Sequence, residues 1–267
     1  MIKFFRHTRF KLMNQNKTTK YLKYAVGEII LVVIGILIAL QINNWNTEKD
    51  NRKKEQLYLN TLKVDLKNQI QEIETQITAE KRFCSDSKTI LKAFNENETF
   101  IFDASLLEAA NGLQDRRTFK TVNPTYTELI NTGDMKLIGN AAFKNSLVVF
   151  YQDIERTKEV IKLNNSYFVD SETAPKLRTL IPSYWEKPES YANYMTDDMA
   201  YEGGISKHKM TALISTTQEK LKDKGTLMEF INMATTRYDY GWFHIQLLLS
   251  KKRETQKLLD ELNNLTE

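Results

Sequence analysis

Four prolines, nine glycines, three histidines and one cysteine are few for 267 residues. With Cys84 alone no internal disulfide can form and no thiolate metal cage can be built, so the thiol reads as a small buried apolar group. His7, His208 and His244 stand far apart, which disfavours a histidine-rich metal site. The shortage of Gly and Pro leaves little with which to build tight turns and sheet corners, and so favours helices. Motifs are missing too. The chain has no GxxxxGK phosphate loop, no GxGxxG, HExxH or GxSxG, and no EF-hand pattern, so no catalytic residue and no cofactor is implied.

Acid is absent from the first 24 residues, which carry Lys3, Arg6, Arg9, Lys11, Lys17, Lys20 and Lys23. Against the other 31 basic groups stand 34 acidic ones, so the formal net charge of +4 hides a basic arm on a slightly acidic body. Such a body is a poor nucleic-acid binder, because phosphate neutralisation needs clustered cations on a folded surface. The arm suits a lipid surface instead.

What the chain does have is the run Ile29 to Leu40, twelve residues without a polar side chain, ten of them Ile, Leu or Val. Extended from Tyr24 to Trp45 it would measure about 33 Å as a helix, against a hydrocarbon core of about 30 Å. Ten such residues contribute roughly −3 to −6 kcal/mol to insertion, while even a central acid costs about +3. Glu28 lies at the edge, within reach of headgroups, and Tyr21, Tyr24 and Trp45 are interface-seeking residues at the two ends. A cleavable export signal is the rival reading. It would leave bulky Leu37 at the −3 position of a cut after Ala39, which favours an uncleaved anchor. The cationic start predicts a cytoplasmic N-terminus with the long remainder on the far side of the membrane. Gly35 and Ala39 form a small-xxx-small pair through which two such helices could associate.

The stretch "KYAVGEIILVVIGILIALQINNWN", preceded by "MIKFFR", resembles the N-terminal signature of a bacterial family of unknown function (DUF6090). The segment "NPTYTELINTGDMKLIGN" is similar to one that such proteins carry after their first long helix. The resemblance implies a membrane-anchored bacterial protein of uncharacterised activity and supplies no catalytic residues.

Residues 1–23 thus read as a cytoplasmic arm, 24–45 as the membrane helix and 46–267 as one helical domain outside the cytoplasm. Leu59, Leu62, Leu66, Ile70, Ile73, Ile77, Cys84 and Leu91 predict an amphipathic helix continuing the apolar one. Asp103 and Gly112 frame a short helix, and Asn123, Pro124 and Gly133 frame another. Asn140 opens a long one striped by Phe143, Leu147, Phe150, Tyr151, Ile154, Ile161 and Phe168, ending before Pro175. Residues 174–205 read as broken and aromatic. A last long helix carries Leu227, Ile231, Ala234, Tyr238, Ile245, Leu248, Leu259 and Leu262, with Gly241 tolerated inside it. The expected fold is an all-α bundle with the first and last long helices as antiparallel neighbours and the short ones at the far end.

Candidate site residues are sparse. Arg116, Arg117 and Lys120 could clamp an anion, although pairing with nearby acids is the blander reading. Tyr126 and Glu128, with Asn131, Thr132, Asp134 and Lys136, could form a polar cleft or merely a helix bend. Tyr184, Trp185 and Tyr191 could present an aromatic surface to a partner. "RYDYGWFHIQ", residues 237–246, reads as a core stripe with a satisfied buried imidazole. The expected role is a non-catalytic envelope module that docks another envelope protein. The alternatives are a ligand-binding sensor with a pocket between helices and an enzyme of unfamiliar type.

Overall fold

The computed structural model describes residues 18–97, 100–183 and 207–266. No strand occurs among them, and the fold is all-α. The helices are α1 (Thr18–Asn97), α2 (Ala104–Gly112), α3 (Pro124–Thr132), α4 (Ala141–Asn164), α5 (Ala174–Leu180), α6 (Lys207–Lys220) and α7 (Lys224–Thr266). A 3-10 turn, Asp134–Leu137, follows α3, and a π-helical stretch, Asn165–Thr173, joins α4 to α5. Two compact units divide the chain at Met1–Tyr58 and Leu59–Glu267.

In the first unit α1 has an uninterrupted apolar window of mean hydropathy 2.6, long enough to cross a membrane, with none of it buried. Ile34 is 50% exposed and Leu37 58%. Trp45 is exposed, with Lys49 Nζ 5.5 Å above its ring. Glu28 is half-exposed on the same helix. Tyr21 and Tyr24 belong to α1, but their side chains lie outside the described set, as do residues 1–17.

In the second unit α1 buries a strict alternation of three- and four-residue steps: Leu59, Leu62, Leu66, Gln69, Ile73, Gln76, Glu80, Phe83, Ser87 and Ile90. This corrects the predicted stripe, in which Ile70, Cys84 and Leu91 were core. They are half-buried, and Gln69, Gln76, Glu80 and Ser87 hold the inward positions with no exposure at all. The physical reason lies in the segment between α2 and α3. Its backbone lies along α1 in the opposite direction, Asp115 against Arg82, Arg117 against Gln76, Lys120 and Val122 against Gln69, and Thr125 against Asp65. An extended segment in a helical protein has no sheet edge to pair with, so its buried N–H and C=O groups need side-chain partners. The α1 amides supply them: Val122 N–H donates to Gln69 Oε1 at 2.6 Å, and Gln76 Nε2 donates to Arg117 O at 3.2 Å. Phe119, 1% exposed, anchors this strap.

Capping follows the sequence in part. Asp103 accepts from Leu106 N–H at 2.8 Å and Asn140 from Phe143 N–H at 2.9 Å, as expected. Gly133 is the left-handed stop of α3, with φ 71°. Asn123 makes no cap bond. Asp65 replaces it from α1, accepting from Thr125 N–H at 3.0 Å, so α3 is capped by a residue 60 positions away. Gly112 is not a left-handed stop either, for α2 leaves through Leu113 in ordinary helical geometry. It is small because the Asp86 carboxylate packs against it.

Past Asn164 the ladder widens rather than stopping: Ala174 N–H returns to Val169 O at π spacing. Pro175, which has no N–H to donate, then takes the first turn of α5. Ala174–Leu180 is therefore helical, where the sequence reading expected a break. Residues 184–206, including Tyr184, Trp185 and Tyr191, lie outside the described residues.

α7 packs on α4 and on α1 with opposite sense. Asn164 meets His244 and Asp153 meets Lys251, while Glu80 meets His244 and Glu74 meets Lys252. The aromatic core Phe94, Phe100, Phe102 and Phe230 closes one end, with Leu106, Leu177 and Met210 from α2, α5 and α6.

Candidate functional site

Two of the inward polar side chains of α1, Gln76 and Glu80, join half-buried Glu72 in a network that crosses the domain. Arg117 binds Glu72 with two hydrogen bonds, at 2.8 and 3.1 Å, and also donates to Gln76 Oε1 at 2.8 Å. Gln76 Nε2 donates to Glu80 Oε1 at 3.0 Å. The Glu80 carboxylate then faces Arg237 Nη1 at 3.5 Å and His244 Nδ1 at 3.3 Å. Asn164 Nδ2 lies 3.1 Å from His244 Nε2. With Asn164 donating, Nε2 is the acceptor and the ring proton sits on Nδ1, turned towards Glu80.

Arg237 is held on three sides: by Glu80, by Asp115 O at 3.2 Å, and by the Phe83 ring 4.3 Å from its Cζ. Burial pulls its guanidinium below the ordinary value and the Glu80 carboxylate opposes the shift. It stays charged under all ordinary conditions. Its side chain is 2% exposed, and those of Glu80 and His244 are not exposed at all. Arg237 Nε and His244 Nδ1 have no aligned hydrogen-bond partner. A cavity beside them is lined by Asn164, Asn165, Thr236 and Arg237 and by Val169 and Thr173 of the π stretch. Its volume is about 10 Å³, room for one water and far below the roughly 300 Å³ of a small-molecule site.

This cluster escaped the sequence reading because its members come from four segments, and Gln and Glu inside a helix look like a solvated face. The proposed residues that lie within the described set are not brought together. Arg116 pairs with Asp170 at 2.5 Å and Arg117 with Glu72, so both serve the chain's own acids. Tyr126 stacks on Tyr151, ring centroids 4.2 Å apart, and burial pushes the Tyr151 phenol up. Glu128, Asn131, Thr132 and Lys136 are exposed, and Thr132 Oγ1 bonds back to Glu128 O, so they make a helix end rather than a cleft. Among the described residues no group of three or more His, Cys, Asp and Glu could hold a metal ion.

The segment 237–246 splits by face. Arg237, Gly241 and His244 point into the core, whereas Trp242 is 55% exposed and Phe243 42%. Tyr240 stacks on Phe168 of the π stretch, beside exposed Tyr167. Arg237 and His244 are thus sealed inward, and the uncovered groups are the aromatic Trp242 and Phe243 with the polar Asp239 and Gln246. Chemically, that arrangement suits contact with another apolar surface more than attack on a soluble substrate.

No curated protein and no solved structure matches the chain. The model of a family of unknown function (DUF6090) matches residues 28–152. That match takes in the apolar window of α1, the strap and the first half of α4, and stops short of α7. Over just under half of its length, the chain is similar to that family.

Proposed function

We propose that the protein is a single-pass bacterial inner-membrane protein whose N-terminus stays in the cytoplasm and whose residues 46–267 form a non-catalytic, protein-binding module outside it. The observation that carries the anchor is the bare apolar window of α1, with Ile29, Leu31 and Leu37 each about 60% exposed. Water would penalise each such side chain by about 1.5–3 kcal/mol relative to burial, and lipid removes that penalty. Seven cations before the window and none of the opposite sign support the orientation.

The binding role is supported by where the two kinds of side chain lie. Glu80 and Arg237 neutralise one another beside His244, out of reach of solute, while α7 offers Trp242, Phe243 and Leu249 to the outside. Tyr and Trp give large contact area at small entropic cost, so this face supports docking as the sequence expected of Tyr184, Trp185 and Tyr191. A ligand-sensor role would call for more room than the water-sized cavity beside the π stretch offers.

Alkaline carbonate extraction of cells should leave the full-length chain in the membrane pellet, and protease added to intact spheroplasts should digest residues beyond 45. A photo-crosslinking residue at Trp242 should trap a polypeptide. Mature protein that begins after residue 40, or that washes off in carbonate, would overturn the anchor.

A further inference from the structure

α7 has two apolar faces rather than one. Its buried face runs through Phe230, Ala234, Arg237, Gly241, His244 and Leu248. The second is partly uncovered and equally regular. Met228, Thr235, Trp242 and Leu249 recur at seven-residue steps, and Ile231, Tyr238 and Ile245 fall between them, so the spacing alternates three and four over three heptads. Met228 is 65% exposed, Trp242 55% and Leu249 39%, and Ile231, Tyr238 and Ile245 are half-buried. The predicted stripe of this helix had merged the two faces.

Charge is missing from this seam. Between Ile231 and Ser250 the charged residues are buried Arg237 and exposed Asp239, where a chain with 27% charged residues would place about five, and interface cores show the same depletion. Aromatic side chains carry about 150–250 Å² each, so Trp242 alone leaves on the order of 100 Å² in water. With its neighbours the seam reaches several hundred Å², a large part of the roughly 800 Å² each side gives to a standard interface.

We infer that this seam is the contact face of a second copy of the same chain. Alternating three- and four-residue spacing lets identical helices interdigitate side chain into gap. Symmetric pairing would bring no like charges together, since only Asp239 borders the middle of the seam, and a partner selected by charge would find none to read. The inference rests on the docking face proposed above. The shared anchor would add to it by confining both copies to one membrane at raised effective concentration.

The test uses the full chain. A photo-crosslinking residue at Trp242 in cells should give an adduct of about twice 31.2 kDa that contains this chain alone. Light scattering on detergent-solubilised protein should show a dimer, with Trp242→Glu and Leu249→Lys each weakening it at least tenfold at unchanged helical signal. Glu229→Lys, exposed on the same helix and turned away from the seam, should leave it intact. A crosslink to a different polypeptide would overturn the inference and leave the protein-binding function standing, whereas no crosslink at all would remove both. A crosslink within one chain would overturn it. So would a dimer that survives Trp242→Glu and disappears with Gly35→Ile.

Discussion

Gly241 of α7 faces α1, and a Cβ there would fall 2.6 Å from Cys84 Sγ and 3.6 Å from Glu80 O. Helix propensity alone favours Ala over Gly by about 1 kcal/mol. Overpacking of this kind costs about 1–3 kcal/mol, so Gly241→Ala should lower stability in urea melts, and adding Cys84→Ala should recover most of the loss. A second residue-scale effect concerns Asp86. Burial, with Asp115 and Glu108 adding to it against Arg82 and Arg237, pushes its carboxyl up to about 6. Because the folded state holds this proton more tightly than the unfolded chain, ionisation costs stability as pH rises from about 4 to 6, and the cost persists above. Asp86→Asn should therefore raise the melting temperature at pH 7.5, and the gain should shrink through pH 6 and vanish near pH 4. Glu80 faces the buried Arg237 guanidinium at 3.5 Å. Glu80→Ala strands the Arg237 guanidinium and should cost about 3–5 kcal/mol, while Glu80→Leu with Arg237→Met should cost much less, since an apolar pair needs no compensation.

Among the elements, the strap between α2 and α3 is the least ordinary, and α1 is shaped around it. Gln69 takes Val122 N–H and gives to Lys120 O, so Gln69→Leu leaves two strap groups without partners. Each orphaned group costs about 1–3 kcal/mol, and denaturant melts of Gln69→Leu should show a loss of at least about 2 kcal/mol although the change makes α1 more hydrophobic. The same substitution at exposed Gln71 should be nearly neutral. This contrast also explains which parts of the fold were legible. Helices that carry their own caps, at Asp103 and Asn140, could be read because cap and helix are neighbours in the chain. The inner face of α1 could not, because Ile70, Cys84 and Leu91 offer an aliphatic stripe while Gln69, Gln76 and Glu80 look solvated until the strap and α7 are laid over them. The candidate site was hidden for the same reason. Arg117 was recognised as a clamp, but its carboxylate is Glu72 of the same chain, and His244 and Arg237 acquire meaning only beside Glu80.

Across the whole molecule the two units satisfy their apolar side chains in different ways. Leu59–Glu267 encloses a core, with Leu62, Leu66, Ile73 and Phe230 fully buried, and leaves one face of α7 uncovered, whereas Met1–Tyr58 leaves the whole window of α1 open. The anchoring margin of that window can be bracketed. Its ten Ile, Leu and Val residues contribute roughly −3 to −6 kcal/mol to insertion, and one central charge costs about +2.5 to +3.5. Val33→Asp should bring the balance near zero and leave the protein partly in the carbonate pellet. Adding Ile36→Lys should carry it well past zero and release the chain. Glu28→Leu, at the edge of the window, should deepen retention rather than weaken it. Because the fully enclosed Leu62, Leu66, Ile73 and Phe230 belong to Leu59–Glu267, the released double variant should keep the circular-dichroism signal of the folded helices, and loss of that signal together with membrane retention would mean that the second unit depends on lipid for its fold.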